Sequence, residues 1–332
     1  MRKPVASVLA FIFVAFAASG FTACEPKNVT VTIRTFELAV VAPVVIKNGD
    51  TLESLATPIA DDPNFTFETW YDGNWNTFDV GKLVTKSITL YAGWRHSDFY
   101  VRPQRTYSDD WFFIVYDVYD KTKTSYAIPA HARAKWLDSN LDECVNLKSL
   151  VIPDNITEIS GTFQGCSSLE SVTLPKGITE IPSFSGCVKL DNVVIPDGVT
   201  HIGGGGFRDC SDLRSISLPN GLTTIYNNAF YNCAKLDLVL PPALESVGEK
   251  AFYGCTSLVY VSLPASVKSV GYRAFSSPYV NIAAPSSAGL IEFAEYAFDF
   301  GVLAEITVAD SATKDAYAAG ALSMYADKIR VR

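Results

Sequence analysis

A regular spacing of cysteines is the feature that most constrains the fold of this chain. Six of its seven cysteines follow one another at intervals of 22, 21, 23, 23 and 22 residues. A nearly fixed period of this length is typical of stacked repeats, in which each unit contacts only its neighbours. The six are Cys144, Cys166, Cys187, Cys210, Cys233 and Cys255.

The residues between the cysteines repeat as well, in the frame C-x-x-L-x-x-V-x-L-P-x-x-V-x-x-I, then a variable turn and a Phe. Alternation predicts a short strand in which Leu169, Val172 and Leu174 point inward, with a proline ending it. Ile178 and Ile181 are expected as the next inward pair. The late Phe of each unit is expected to close the coil at Phe163, Phe184, Phe207, Phe230, Phe252 and Phe275. One unit buries too little apolar surface to offset the conformational entropy lost on ordering its backbone, so the units must stack.

Two features of the repeat allow further predictions. Two residues after the proline, four units carry a Gly or Asn, which predicts a turn with positive φ. These residues are Asn155, Gly177, Gly198 and Gly221.

The repeat cysteines occupy one inward point of each coil, which favours buried, unpaired thiols. Disulfide pairing is the alternative in an exported protein, and the spacings match no zinc motif.

The repeat frame resembles the BspA-like leucine-rich repeat, whose units run L-P-x-x-V-x-x-I-x-x-x-A-F-x-x-C. Residues 229–233 (AFYNC) and 251–255 (AFYGC) match this signature closely, whereas the turns at 160–163 and 182–184 are shorter. The resemblance implies a β-rich leucine-rich-repeat solenoid over residues 126–305, with short parallel strands, one per repeat. A C-terminal cap with a short helix is expected over 306–332, because an open solenoid end exposes core and strand edge.

The start of the chain has the order of a secretory signal peptide. A basic Met1–Lys3 precedes an uncharged apolar run, which is short for a membrane span. Residues 21–24 (FTAC) resemble a bacterial lipobox, with Phe21 in place of the usual Leu. The resemblance implies a lipoprotein signal peptide over 1–23, acylation of Cys24 and a lipidated linker over 24–27. An ordinary cleaved signal and an uncleaved anchor helix are the alternatives.

A different pattern precedes the repeats. Val29–Ile33 alternates as a strand, and residues 67–71 (FETWY), 77–80 (TFDV) and 88–94 (ITLYAGW) follow. This order resembles the Listeria–Bacteroides repeat, although the Gly-Gly turn of that family is absent. The resemblance implies a small β-grasp-like α+β domain over 28–95; an unrelated small β domain is the alternative. Residues 96–125 are expected to form a linker and the entry cap of the solenoid.

Composition and motifs argue against several chemical functions. The chain has 27 Lys and Arg against 35 Asp and Glu, so it is a poor polyanion binder and no nucleic-acid partner is predicted. The chain has only three histidines, far apart in the sequence, which argues against a His-based metal site or a His general base. The glycine run at 203–206 lacks the Lys-Ser or Lys-Thr of a phosphate loop and is predicted to be a repeat turn. His201 is predicted to be an exposed variable residue. We therefore predict no catalytic residues, metal site or cofactor.

Variable outward residues on a constant frame are where a repeat array can recognise partners. The predicted binding face consists of the two outward residues of each strand: Ser149, Val151, Ser171, Thr173, Asn192, Val194, Ser215, Ser217, Asp237, Val239, Tyr260 and Ser262. Because this face is poor in Trp, Tyr and Arg, the bulkier turn residues are an alternative surface: Tyr226, Tyr231, Tyr253, Tyr272 and Arg273.

Together these features predict a non-enzymatic lipoprotein at the bacterial cell surface, anchored in the outer membrane through acylated Cys24. The BspA-like resemblance implies adhesion, that is, binding to extracellular or host proteins or glycans. A structural lipoprotein that faces the periplasm and binds other envelope components is the alternative. A hydrolase carried on the solenoid would need a cluster of converging titratable groups, which the sequence does not offer.

Overall fold

A computed structural model describes residues 28–35, 41–53, 55–74, 76–105, 111–130, 134–138, 141–275, 279–282, 290–298 and 305–331. The predicted signal peptide and Cys24 lie outside these residues and stay predictions. The described residues divide into two compact units, one containing those within 28–33, 42–56 and 70–91, and the other the remainder. None of the helices in the described ranges is both long and apolar enough to cross a membrane.

The described ranges contain mostly short strands. In chain order they are β1 Asn28–Arg34, β2 Val44–Lys47, β3 Phe65–Tyr71, β4 Ile88–His96, β5 Phe99–Arg105, β6 Trp111–Val118, β7 Ala134–Leu137, β8 Ser149–Val151, β9 Glu158–Ile159, β10 Ser171–Thr173, β11 Asn192–Val194, β12 His201–Ile202, β13 Ser215–Ser217, β14 Thr224–Ile225, β15 Ser246–Val247, β16 Tyr260–Leu263, β17 Ser269–Val270, β18 Tyr279–Ile282, β19 Glu292–Phe293, β20 Glu305–Val308 and β21 Ile329–Val331. A helix, α1, covers Ser311–Ala319, and a 3-10 helix covers Ser323–Lys328.

The N-terminal strands form one sheet in the order β2-β1-β4-β3. Strands β1 and β2 are antiparallel, with Val29 opposite Ile46. Val29, Val31 and Ile33 are buried and the residues between them are more exposed, as the alternation predicted. Between β2 and β3, the described residues 48–53 and 55–64 form turns and bends rather than a helix.

The repeats form a parallel β-solenoid of about eight turns. The predicted strands between the conserved Leu and Pro form a parallel sheet in the order β8-β10-β11-β13. We call this the first sheet. Most units add a second strand of two residues, which the sequence analysis did not predict. Strands β12, β14, β15, β17 and β19 pair in parallel to form the second sheet.

The inward positions of the repeat form the core, as predicted, with one exception. Leu169, Val172, Leu174 and Ile178 are buried, whereas Ile181 is only half-buried. The repeat phenylalanines are fully buried and stack with centroid separations of 5.1–5.6 Å between Phe163 and Phe275. A seventh ring, Phe298, continues the stack at 6.1 Å. Each unit therefore contributes one ring to a continuous aromatic ladder.

The six repeat cysteines are free and buried, so the predicted unpaired thiols are confirmed. Five of them donate an S–H hydrogen bond to a main-chain carbonyl of the preceding turn. Cys187 Sγ lies 3.1 Å from the Phe163 oxygen, and Cys210 Sγ lies 3.1 Å from the Phe184 oxygen. Burial raises the pKa of the Cys255 thiol to about 12, so the protonated donor form is the stable one.

The predicted positive-φ turn after the proline is wrong. In the described ranges Asn155, Gly177, Gly198 and Gly221 do not have positive φ, because the chain there forms a turn in which the Ile156 N–H bonds the Pro153 carbonyl. Positive φ occurs instead at the residue before each repeat cysteine, where the coil closes: Glu143, Gly165, Gly186, Asp209, Asn232 and Gly254.

Both ends of the solenoid are covered by additional strands. At the N-terminal end, β5 and β6 form an antiparallel pair, and β6 continues in parallel into β7 and β9. At the C-terminal end, β20 pairs in parallel with β21 after α1. Tyr317 of α1 accepts a hydrogen bond from the Ile291 N–H, and Tyr325 donates to the Phe298 carbonyl, so both buried rings attach this segment to the last coils.

Candidate functional site

All twelve residues of the predicted binding face are exposed. Parallel pairing aligns eight of them, on β8, β10, β11 and β13, in rows across the first sheet. Ser149 lies opposite Ser171 and Asn192 opposite Ser215, and in the second row Val194 lies opposite Ser217. We call this surface the first-sheet face. Its position is set by the repeat itself, because the conserved Leu, Val and Leu of each unit take the inward positions.

From β8 to β13 the first-sheet face is flat and carries small side chains. Its exposed apolar residues are Val151 and Val194, which are separated along their row by Thr173. An ion pair joins neighbouring units at its edge, with Arg214 Nε 3.0 Å from Asp191 Oδ1. This half of the face offers hydrogen-bonding groups but no deep apolar anchor site.

The first sheet is interrupted in the unit of residues 233–254, where the strand predicted for each repeat does not form. Four residues separate Leu236 from Pro241 there, whereas five separate Leu213 from Pro219 in the unit before. Since Leu236 and Pro241 both stay buried, the shorter link cannot keep the pairing register of its neighbours. The predicted strand positions Asp237 and Val239 are exposed but form no strand.

The interruption separates β13 from β16. The next four strands form a separate sheet in the order β16-β18-β20-β21. Asp237 N–H still donates to the Arg214 carbonyl at 3.1 Å. Beyond it, the N–H groups of Leu238, Val239 and Leu240 have no hydrogen-bond acceptor within the described part of the chain.

A small apolar cleft opens at the interruption. It has a volume of about 290 Å³ and is lined mainly by Leu238, Val239, Leu258 and Tyr260. Val239 is 87% exposed and Tyr260 is 55% exposed, so both rim the cleft toward solvent. A volume of this size accommodates one or two side chains of a protein partner.

The structure adds Tyr279 to this region. Strands β16 and β18 pair in register, and Tyr279 lies opposite Tyr260 with 48% of its surface exposed. The sequence analysis missed this residue, although residues 279–282 (YVNI) repeat the pattern of residues 260–263 (YVSL). Tyrosines of this kind are typical of interface hot spots.

The alternative surface, made of turn residues, is largely occupied by contacts within the chain. Tyr231 and Tyr253 stack on each other at 5.5 Å, and Arg208 lies over Tyr231 at 5.1 Å. Arg273 and Lys250 lie over Tyr272 at 5.4 and 5.7 Å. Tyr226 is half-exposed and contacts His201 edge-on at 5.7 Å. These rings stabilise neighbouring turns, so fewer of their faces are open to a partner.

No chemistry-bearing cluster accompanies either surface in the described ranges. Groups of three or more His, Cys, Asp or Glu that could hold a metal ion are absent from those residues. The glycine run at 203–206 forms the predicted turn.

The family model described as the BspA type leucine rich repeat region matches six copies over residues 138–239 and 237–319, more than half of the chain. A leucine-rich-repeat protein of T. pallidum is 24% identical, with 60% of this chain and 89% of that chain covered and a TM-score of 0.45. One from Bacteroides ovatus is 18% identical, covering 63% and 69%, with a TM-score of 0.36. A leucine-rich cell surface protein of Faecalibacterium prausnitzii is 19% identical, covering 70% and 93%, with a TM-score of 0.31. The comparison with curated proteins found no match. On the family match, this chain belongs to the BspA-type leucine-rich-repeat family.

Proposed function

We propose that this chain is a non-enzymatic adhesion protein of the bacterial cell surface that binds extracellular proteins or glycans through the first-sheet face. The observation that supports this most directly is the apolar cleft at the interruption of the first sheet. Exposed Val239 and Tyr260 line it, and Tyr279 lies opposite Tyr260 on the next strand. The four small-residue strands from β8 to β13 lie on one side. An aromatic anchor beside a polar surface is the usual composition of a protein interface.

The open backbone strengthens this proposal. A buried or partly buried N–H without an acceptor costs free energy, so half-buried Leu238 and buried Leu240 favour a partner that supplies carbonyl groups. An extended segment of a protein can do this while placing one apolar side chain in the cleft. The β8–β13 part of the face would then provide the surrounding polar contacts.

The binding proposal is tested by screening the chain against extracellular matrix proteins and a glycan array. We expect a captured ligand whose binding is lost in V239S/Y260S and retained in V145S/Y226S, since Val145 and Tyr226 are exposed outside the first-sheet face. The second pair removes one exposed Val and one exposed Tyr elsewhere, so it matches the first in chemistry. Failure to capture any ligand, or equal binding by both double variants, would contradict the proposal.

We further propose that Cys24 is acylated and holds the chain on the outer face of the outer membrane. Residues 21–24 and the apolar run before them support this proposal. The test is metabolic labelling with a fatty acid together with protease treatment of intact cells. We expect label on the natural chain, none on C24A, and cleavage of the natural chain in intact cells. Protection from protease would instead support the periplasmic envelope lipoprotein.

A further inference from the structure

The second sheet has an interruption of its own, on a surface that the proposed function does not use. In the unit of residues 166–186, only Pro182 and Ser183 separate Ile181 from the repeat Phe, whereas the later complete units have four residues there. In a regular unit the residue after the second strand donates its N–H to the unit before, as Tyr226 does to the Ile202 carbonyl at 3.0 Å. Proline has no N–H, so this bond cannot form at Pro182.

The consequence is a gap between β9 and β12. Strand β9 ends the sheet β5-β6-β7-β9, and the second sheet begins again at β12. The N–H groups of Thr179, Glu180 and Ile181 donate to no acceptor within the described ranges. Ile159 and Ile181 are half-buried here, although the corresponding side chains of later units are fully buried. Both backbone donors and apolar surface are therefore open to a ligand at this point.

A cleft of about 240 Å³ occupies the gap, and Trp136 forms one wall. The Trp136 Nε1–H donates to Ser160 Oγ at 2.8 Å, and the Ser160 hydroxyl donates to Asp138 Oδ1 at 2.6 Å. These two bonds fix the plane of the indole ring before any ligand arrives. Glu158 lies directly opposite Trp136 in the strand register, so a carboxylate stands beside the ring.

The charges of this cleft have one sign. Glu158 and Glu180 both line it, and its lining contains no cationic residue. Within the described part of the chain Glu158 has no ion-pair partner, and Glu180 has only the His201 imidazole, with Nε2 at 3.9 Å. A preoriented indole face flanked by two carboxylates is complementary to an ammonium or guanidinium group, through cation–π and charge attraction.

We propose that this cleft binds an extended segment of a partner protein that places a lysine or arginine side chain against Trp136, between Glu158 and Glu180. The carbonyl groups of the segment accept from the open N–H groups of Thr179 and Ile181, as in strand addition to a sheet edge. The site lies in the second-strand region, so its test is independent of the first-sheet face.

The probe is the peptide acetyl-Ser-Thr-Lys-Thr-Ser-amide, compared with the same peptide carrying norleucine in place of lysine. Binding to the chain is measured by ligand-observed NMR at low salt, so that a millimolar dissociation constant can be measured. We expect the lysine peptide to bind roughly tenfold more tightly than the norleucine peptide. A single charge on the probe keeps general attraction to the acidic chain small.

Three variants locate the site. We expect E158Q/E180Q to weaken the lysine peptide roughly tenfold, and W136L to weaken it by a similar factor. The matched control E170Q/E292Q removes two exposed carboxylates outside the cleft and should change affinity less than twofold. Equal affinity for the two peptides, or equal losses in E158Q/E180Q and E170Q/E292Q, would overturn the proposal. So would binding of a neutral oligosaccharide at Trp136 that E158Q/E180Q leaves unchanged.

Discussion

The aromatic ladder gives the sharpest prediction about stability, at Phe207. Its ring is fully buried and stacks between Phe184 at 5.6 Å and Phe230 at 5.4 Å, with interplanar angles of 13° and 3°. Truncation to alanine removes the ring from the middle of a close-packed stack and leaves a cavity between two units. Such Phe→Ala changes cost about 3–5 kcal/mol.

The loss should be at the upper part of this range, because two ring contacts disappear and each contributes about 0.5–1.5 kcal/mol beyond its buried area. With an expected loss of about 4.5 kcal/mol and a urea dependence of about 2.5 kcal/mol per molar, F207A should lower the unfolding midpoint by roughly 1.8 M. The assay is urea unfolding followed by circular dichroism, with half-exposed Tyr226→Ala as the control.

A double-mutant cycle tests the contact between two rings directly. F184A, F207A and F184A/F207A should show a coupling free energy of about 0.5–1.5 kcal/mol. The reasoning would be refuted if F207A moved the midpoint no further than Y226A does, since Phe207 would then not be a ring of a continuous core.

Two further predictions concern the closing turn and pH. Gly165 has φ +71°, so G165A should destabilise the chain by about 1–2 kcal/mol. G177A should be neutral or stabilising, because Gly177 lacks positive φ and no atom lies within 4 Å of its added Cβ. Equal urea midpoints for the two variants would contradict this prediction. His96 is buried, accepts the Asp98 N–H at Nδ1 (3.1 Å) and leaves Nε2 unpaired in the described ranges. Burial lowers the pKa of His96 below 6.5, against the opposing charges of Asp98 and Asp62. The unfolded state therefore binds the proton first, and stability should fall as the pH drops below about 6.5. Thermal unfolding of H96Q should depend less on pH over this range than that of the natural chain or of the control H201Q, whose histidine is partly exposed. Identical profiles would exclude His96 as the cause.

Much of this architecture could be predicted from the sequence because the repeat carries the same physical constraint six times. Alternation in each Leu-to-Pro segment determines which side chains enter the core, so the buried residues and the twelve outward residues follow from one unit. The even cysteine spacing places every thiol at the same inward point. This common position predicts free thiols, and the six repeat cysteines are free.

Other features could not be predicted from local pattern. The second strand has two residues, such as Thr224 and Ile225, which is too short to show alternation. Gly177 suggested positive φ from its residue type, but type I turns tolerate Gly without requiring it, and the true left-handed positions include Glu143 and Asp209. Such positions are set by how a coil closes against its neighbour.

The clefts also depend on tertiary context. The shortened link of residues 237–240 and Pro182 are both visible in the sequence. They interrupt the sheets only because adjacent strands are held in fixed register, so that a missing residue or N–H removes a hydrogen bond between neighbouring strands. The repeat architecture could therefore be predicted from the sequence alone, whereas finding the two candidate sites required the structure.

One missing residue in the 237–240 link opens the first sheet and creates the cleft proposed to bind a partner. This effect is tested most directly by inserting a serine between Asp237 and Leu238, which gives LDSLVLP and matches the LRSISLP of residues 213–219. Hydrogen exchange measured on both proteins should show the Leu238 and Val239 amides fast in the natural chain and strongly protected after insertion, as the ladder closes from β13 to β16. Unchanged fast exchange in the insertion variant, or protected amides in the natural chain, would contradict the account.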